Sequence, residues 1–264
     1  MYNLIMDSPY SPDFYEYLQD GSFMSGVRIL KLLFSEIGVP TSILDVGGGD
    51  GSWLAAAEKV GEDKCSTLRL LEGNWVSTKS LRSSKIFFLP SDLNEPITQS
   101  SKFDLVFCLE VLEHLSPERG LVLIKELTEA SDKVLFSAAI PGQGGTHHIN
   151  EQWQSHWANE FAKYGFFTSD LIRPKIWEDP AIEWWYRQNI FLYERGAQKI
   201  SSNILDIAHP KLLEKQTKEI ESSNDDLSGI YKIFGIQIYI KVIEFCHYIK
   251  SKAIRSNPKR GNSI

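Results

Sequence analysis

Residues Ser42 to Leu54, which read SILDVGGGDGSWL, constrain the fold more than any other stretch of the chain. Ser42 to Val46 is a short apolar run followed by glycines, the pattern of a buried strand. Gly47, Gly49 and Gly51 let the backbone turn sharply and approach a ligand with no Cβ in the way. The segment from Ser52 then opens a helix whose unpaired N–H groups point at that ligand.

The loop's spacing and charge narrow the ligand. A dinucleotide fingerprint needs glycines at the first, third and sixth positions. Counted from Gly47 the sixth position is Ser52, and the loop is G-x-G-x-G. Asp45 and Asp50 also set two carboxylates around the turn, which repel a pyrophosphate and suit a ligand carrying an ammonium and a sulfonium. S-adenosylmethionine (SAM) is such a ligand. The loop resembles motif I of the class I SAM-dependent methyltransferases, although Gly48 stands where the commoner form has Cys, a small-for-small change expected to leave cofactor binding intact.

Later segments follow the same pattern. Leu68-Arg69-Leu70-Leu71-Glu72 is an apolar strand ending in an acid, at the spacing where such folds place a ribose-binding carboxylate. The resemblance implies that Glu72 takes both ribose hydroxyls. After the strand Ile86 to Leu89, it implies that Asp92 accepts from the adenine amino group while Leu93 offers an adjacent N–H; Asp92 also fits a plain turn former. Asp45, Gly47, Gly49, Gly51 and Leu109 complete the expected cofactor contacts. Phe103 to Leu109 and Lys133 to Ala139 read as two more buried strands, followed by a late pair, Phe166 to Leu171 and Asn189 to Tyr193, which the resemblance implies closes the sheet as an antiparallel hairpin. Near-continuous apolar strands alternating with helix-length segments imply a Rossmann-like α/β fold: a seven-stranded, mostly parallel sheet with helices on both faces.

Chemistry is expected after the fourth and fifth strands. In Glu110-Val111-Leu112-Glu113-His114, a helix would put Glu110 on one face with Glu113 and His114. This E-x-x-E-H pattern resembles that of metal-dependent small-RNA 2′-O-methyltransferases and ubiquinone-pathway O-methyltransferases, but similar sequences border the pocket in enzymes without metal. No metal is therefore included in the expected cofactor set; the alternative ligand set is Glu110, Glu113, His114 and His148. Ile140 to Trp153 carries His147, His148 and Glu151 on a loop rich in glycine after the fifth strand. His147 or His148 is the expected base for a hydroxyl acceptor. The run FSAAIPGQGGTHHINEQW, with the later RPKIWEDPAIEWWYRQN, resembles a bacterial methyltransferase group associated with polysaccharide or secondary-metabolite pathways. That resemblance implies O-methylation of a saccharide or other small hydroxyl compound. The aromatic cluster Trp177, Trp184, Trp185 and Tyr186 fits either an acceptor wall or core packing.

Three regions are expected: an N-terminal helical cap over residues 1–39, a SAM-binding core over 40–195, and a C-terminal helical extension with a basic tail over 196–264. Tyr15 and Ser22 in the cap are candidates for the methionine end of the cofactor. A net charge of -6 argues against a nucleic-acid substrate. Three cysteines without metal-ligand spacing, and no signal peptide, point to a reduced cytoplasmic protein. Ile230 to Ile249 is apolar at helical spacing but broken by charges, so it does not span a membrane; with the basic residues after it, peripheral contact with an anionic surface is an option. A NAD-type reductase or epimerase, disfavoured by the loop and by the lack of a Tyr-x-x-x-Lys pair, and a non-catalytic module of the same fold are the other readings.

Overall fold

A computed structural model describes residues 12–97, 101–196 and 206–222. Its contacts divide the chain into one unit ending at Ile204 and a second beginning at Leu205. The first unit holds a single seven-stranded sheet in the order β3-β2-β1-β4-β5-β7-β6. The strands are β1 Ser42–Val46, β2 Thr67–Glu72, β3 Ile86–Pro90, β4 Leu105–Leu109, β5 Lys133–Ser137, β6 Phe166–Ser169 and β7 Phe191–Arg195. Pairings from β3 through β5 are parallel, and β7 lies antiparallel to both β5 and β6. The expected mostly parallel sheet with a closing hairpin is therefore present. Strand order reverses between β1 and β4, which places the crevice of such a sheet outside their carboxyl ends.

Helices cover both faces. α1 (Pro12–Ile37) and α2 (Ser52–Gly61) lie on one side, where Ile29, Leu30, Leu33, Trp53 and Leu54 join Ile43, Leu70 and Phe107 in a buried cluster. α1 runs N-terminally beyond the Ser25 start that its apolar spacing predicts. It contributes directly to the core: at Gly26 a Cβ would sit 2.9 Å from the Cβ of Ala56, so the two helices meet where α1 has no side chain. On the other face are α3 (Pro117–Ala130) and α4 (Gln154–Ala162). α3 starts as its sequence dictates, with Ser116 Oγ accepting from the Arg119 N–H and Pro117 in the first turn. Beneath this face Phe161 stacks on Tyr193 at 4.1 Å, with Phe136 edge-on to both. Each such aromatic pair adds about 1 kcal/mol beyond its buried area.

Two short helices, α5 (Arg173–Ile176) and α6 (Trp184–Asn189), fill the connection from β6 to β7. α1 is fastened to this connection by Ser22 to Tyr186, by Glu183 N–H to Ser25 Oγ, by Arg28 to Asp179 and by Lys175 to Glu36. The second unit contains α7 (Pro210–Ser222). Among the described residues no helix is long and apolar enough to cross a membrane. Ile230 to Ile249, the basic tail and Cys246 lie outside the described residues, as does the side chain of Tyr15.

Candidate active site

Two turns face each other across the β1/β4 crevice. After β1, Gly47, Gly49 and Gly51 take φ values of 79°, 57° and 78°, the left-handed conformation that the sequence requires of glycine there. After β4, Glu110 takes φ 55°, a strained conformation for a residue with a Cβ, and such strain collects at functional sites.

Acids cluster at the carboxyl ends of β1 and β2. Asp45 is buried at the end of β1, and its Oδ2 has no hydrogen-bond partner. Burial, followed by the charges of Glu72 and Asp50, holds its carboxyl well above the usual range. Glu72, at the end of β2, accepts from Gly49 N–H at 2.9 Å and Gly73 N–H at 2.7 Å, and burial raises its pKa despite those bonds. Asp50 turns elsewhere: it accepts from Ser52 N–H and Oγ and pairs with Arg82 at 3.0 Å. Asp92 Oδ1 accepts from both the backbone and side-chain nitrogens of Asn94, so it does shape a turn. That turn brings Leu93 Cδ1 to within 3.4 Å of where a Gly47 Cβ would stand. Leu109 ends β4 beneath the site.

The orphaned Asp45 oxygen in a buried, acid-rich recess suits a cationic ligand and opposes a pyrophosphate. Gly48 has less latitude than the sequence suggests. A Cβ there would collide with the Asp45 carboxylate, so with this acid where it lies the position takes only glycine.

Opposite lies a second cluster. Glu110 and Glu113 do not lie along one α-helix as expected. Leu112–His114 forms a single 3-10 turn, with Glu110 outside it. Glu110 Oε1 accepts from Asn189 Nδ2 at 3.2 Å and Oε2 from Gln143 Nε2 at 3.0 Å. Gln188 donates to both Gln143 and Asn189, closing a buried amide network around this acid. Burial raises the Glu110 pKa. Glu113 is fully buried; burial and then the neighbouring Glu110 charge raise it well above the usual range. Its Oε1 accepts from the Ala139 N–H, its carboxyl shares a hydrogen bond with that of Glu110, and its Oε2 has no further partner.

Glu113, His114 and His148 each offer a ligand atom, and these atoms lie within 4.8 Å of one another. Glu110, the fourth residue of the alternative metal set, is outside this trio. His148 Nδ1 lies 2.9 Å from Glu151 Oε1. Glu151 also accepts from Gly142 N–H and Gly144 N–H, so one carboxylate both shapes the loop and orients the ring. His114 donates to the His147 backbone carbonyl, while burial and the nearby His148 lower its pKa. The two rings meet edge-on at 4.9 Å. His147 itself is exposed, with φ 59°, and its contribution to the cluster is that carbonyl.

The sequence does not reveal Gln143 or Asn189 as partners of Glu110, because they come from separate connections and amides are unremarkable in loops. Tyr186 accepts from Trp53 Nε1 at 3.2 Å and bonds Ser22 Oγ at 3.2 Å, and burial lifts its phenol to about 12. The α6 aromatics thus serve packing at least at Tyr186, and Ser22 is engaged with that phenol.

No protein-family profile matches this chain, and no curated protein does. Solved structures match at low identity. Magnesium protoporphyrin IX methyltransferase (ChlM) from Synechocystis PCC 6803 with bound SAH is 17% identical, with a TM-score of 0.50 over 72% of this chain and 91% of that one. The complex between the Haloferax volcanii Trm112 methyltransferase activator and a methyltransferase gives 12% identity and a TM-score of 0.50, covering 71% and 95%. TnmH is 18% identical with a TM-score of 0.49; the match covers 69% of this chain but only 57% of TnmH. The fold is the Rossmann-like α/β fold of the SAM-dependent methyltransferases.

Proposed function

We propose that this chain is a SAM-dependent methyltransferase acting on a hydroxyl of a small molecule, with a saccharide as the favoured acceptor class. The observation that carries the reading is that a buried acidic recess, Asp45 with Glu72, and an oriented imidazole, His148 on Glu151, both follow the carboxyl ends of parallel strands of one sheet. When bound, SAM supplies an electrophilic methyl on its sulfonium. Asp45 would hold the ammonium, Glu72 the ribose diol, and Asp92 with the Leu93 N–H the adenine. Gly47, Gly49 and Gly51 give close backbone approach, and Leu109 borders the recess. His148 accepts the hydroxyl proton as the oxygen attacks, through the ring nitrogen that Glu151 leaves available. Of the two loop histidines, His148 is therefore the base, and His147 is not needed for proton transfer.

A second reading is favoured by the Glu113, His114 and His148 cluster. Both imidazoles have one nitrogen committed to an oxygen acceptor, and the buried Glu113 Oε2 has no further partner. Such a donor set fits a divalent cation, which would lower the pKa of an acceptor hydroxyl. In that case Glu110 stays with its amides and contributes shape and charge.

Calorimetry with SAH and with NADH tests the cofactor. Micromolar binding of SAH alone is expected, and no SAH binding would sink the reading. Methyl transfer from labelled SAM into a panel of sugars, run with and without a chelator and with metal content measured, separates the two mechanisms. Metal-free protein with full turnover excludes the second.

A further inference from the structure

Glu72 carries a competitor for the ligand assigned to it. Besides the Gly49 and Gly73 N–H groups, its carboxylate accepts a hydrogen bond from the Trp75 side chain. The indole folds back over the strand end: a Cβ on Gly73 would lie 2.5 Å from Trp75 Cδ1 and Nε1. An ionised carboxylate has about four acceptor positions in its plane. Two backbone donors and two ribose hydroxyls fill them, and the indole is one donor too many.

The three resident donors are not equally free to leave. Gly49 N–H belongs to the left-handed glycine turn, and Gly73 N–H directly follows β2. Trp75 is 47% exposed, so its ring can swing away without opening the core, while buried Val76 next to it fixes the backbone through a 3.2 Å bond from its N–H to the Gly73 carbonyl. We propose that Trp75 is a ligand-exchange gate on the nucleoside site: its indole N–H holds Glu72 in the free protein and gives way to a ribose hydroxyl when the cofactor binds. The proposal rests on the SAM reading of the site. It makes Trp75 a residue that tunes nucleoside affinity through Glu72, with no part in the methyl-transfer chemistry.

The test uses full-length protein with 15N-labelled tryptophan indoles, and SAH as the probe. The Trp75 resonance is identified by its absence from Trp75→Phe, a variant that keeps an aromatic ring and loses the donor. Saturating SAH is expected to shift that resonance, and Trp75→Phe is expected to bind SAH between equally and about tenfold more tightly, the scale of a lost hydrogen bond to a charged group. An indole resonance unmoved at saturating SAH overturns the proposal. So does an affinity loss of about tenfold or more in Trp75→Phe, because the indole would then belong to the bound state. No SAH binding to the wild-type chain removes the cofactor reading and the gate together, whereas either preceding result removes the gate alone.

Discussion

His148 and Glu151 are three residues apart on a loop that has no regular structure to hold them, yet one carboxylate fixes both the ring and two glycine amides. Replacing His148 by Asn is expected to cut methyl transfer by roughly 10²–10⁴, the usual range for a lost general base. His147→Ala should leave the rate nearly unchanged. Glu151→Ala should approach the His148 variant, and the double variant should fall little further, because residues that act as a unit are not additive. Steady-state kinetics on the four proteins decides this; strict additivity would separate Glu151 from His148. The ingredients are legible in the sequence, where the loop shows two histidines and an acid, but which histidine the acid orients is not. The Glu110 environment is not legible either. Its partners Gln143 and Asn189 stand 33 and 79 residues away, and no periodicity links an acid to distant amides. Nor does E-x-x-E-H announce a 3-10 turn preceded by a left-handed Glu; three-residue spacing reads equally as helix.

At the level of elements, α1 and α2 meet through Gly26. A Gly26→Leu change has no room beside Ala56 and Trp53 and is expected to destabilise the chain by about 1–3 kcal/mol, seen as a lower thermal midpoint. Arg28→Ala, which breaks an ion pair with both side chains partly exposed, should change stability by less than about 1 kcal/mol. Equal effects would mean that the helix is held by its polar links to the β6–β7 connection and not by packing. Parallel strands buried on both faces declare themselves as apolar runs, which is why β1, β2, β4 and β5 are readable without a structure. The first part of α1 is less so, since PDFYEYLQDGS mixes aromatics, acids and a glycine without a clear stripe. Edge strand β3 keeps Phe87 and Leu89 largely exposed, so its apolar run overstates its burial.

For the whole molecule, the balance of charge sets a pH dependence. Asp45, Glu72, Glu110 and Glu113 all have raised pKa values, so the folded chain keeps protons that the unfolded chain releases above about pH 4. Their stability contribution is complete below that pH and is lost as pH rises through the raised values. His114, with a lowered pKa, works the other way, but its effect is complete by about pH 6.5. Glu113→Gln removes one of these acids, so the thermal midpoint of the wild-type ligand-free chain should fall relative to that variant as pH rises from about 4 through the raised value of Glu113. A wild-type midpoint that rises relative to the variant over this interval contradicts the assignment.

Gly48 carries a pharmacological consequence. The motif that the Gly47–Gly51 loop resembles more commonly has a cysteine at this place, where an acrylamide or chloroacetamide warhead attached to an adenosine analogue could form a covalent bond. Here the position has no side chain, and among the described residues the two cysteines, Cys65 and Cys108, are buried with thiols pushed above their ordinary range. A thiol-directed warhead carried to this loop therefore finds no sulfur at position 48 to react with.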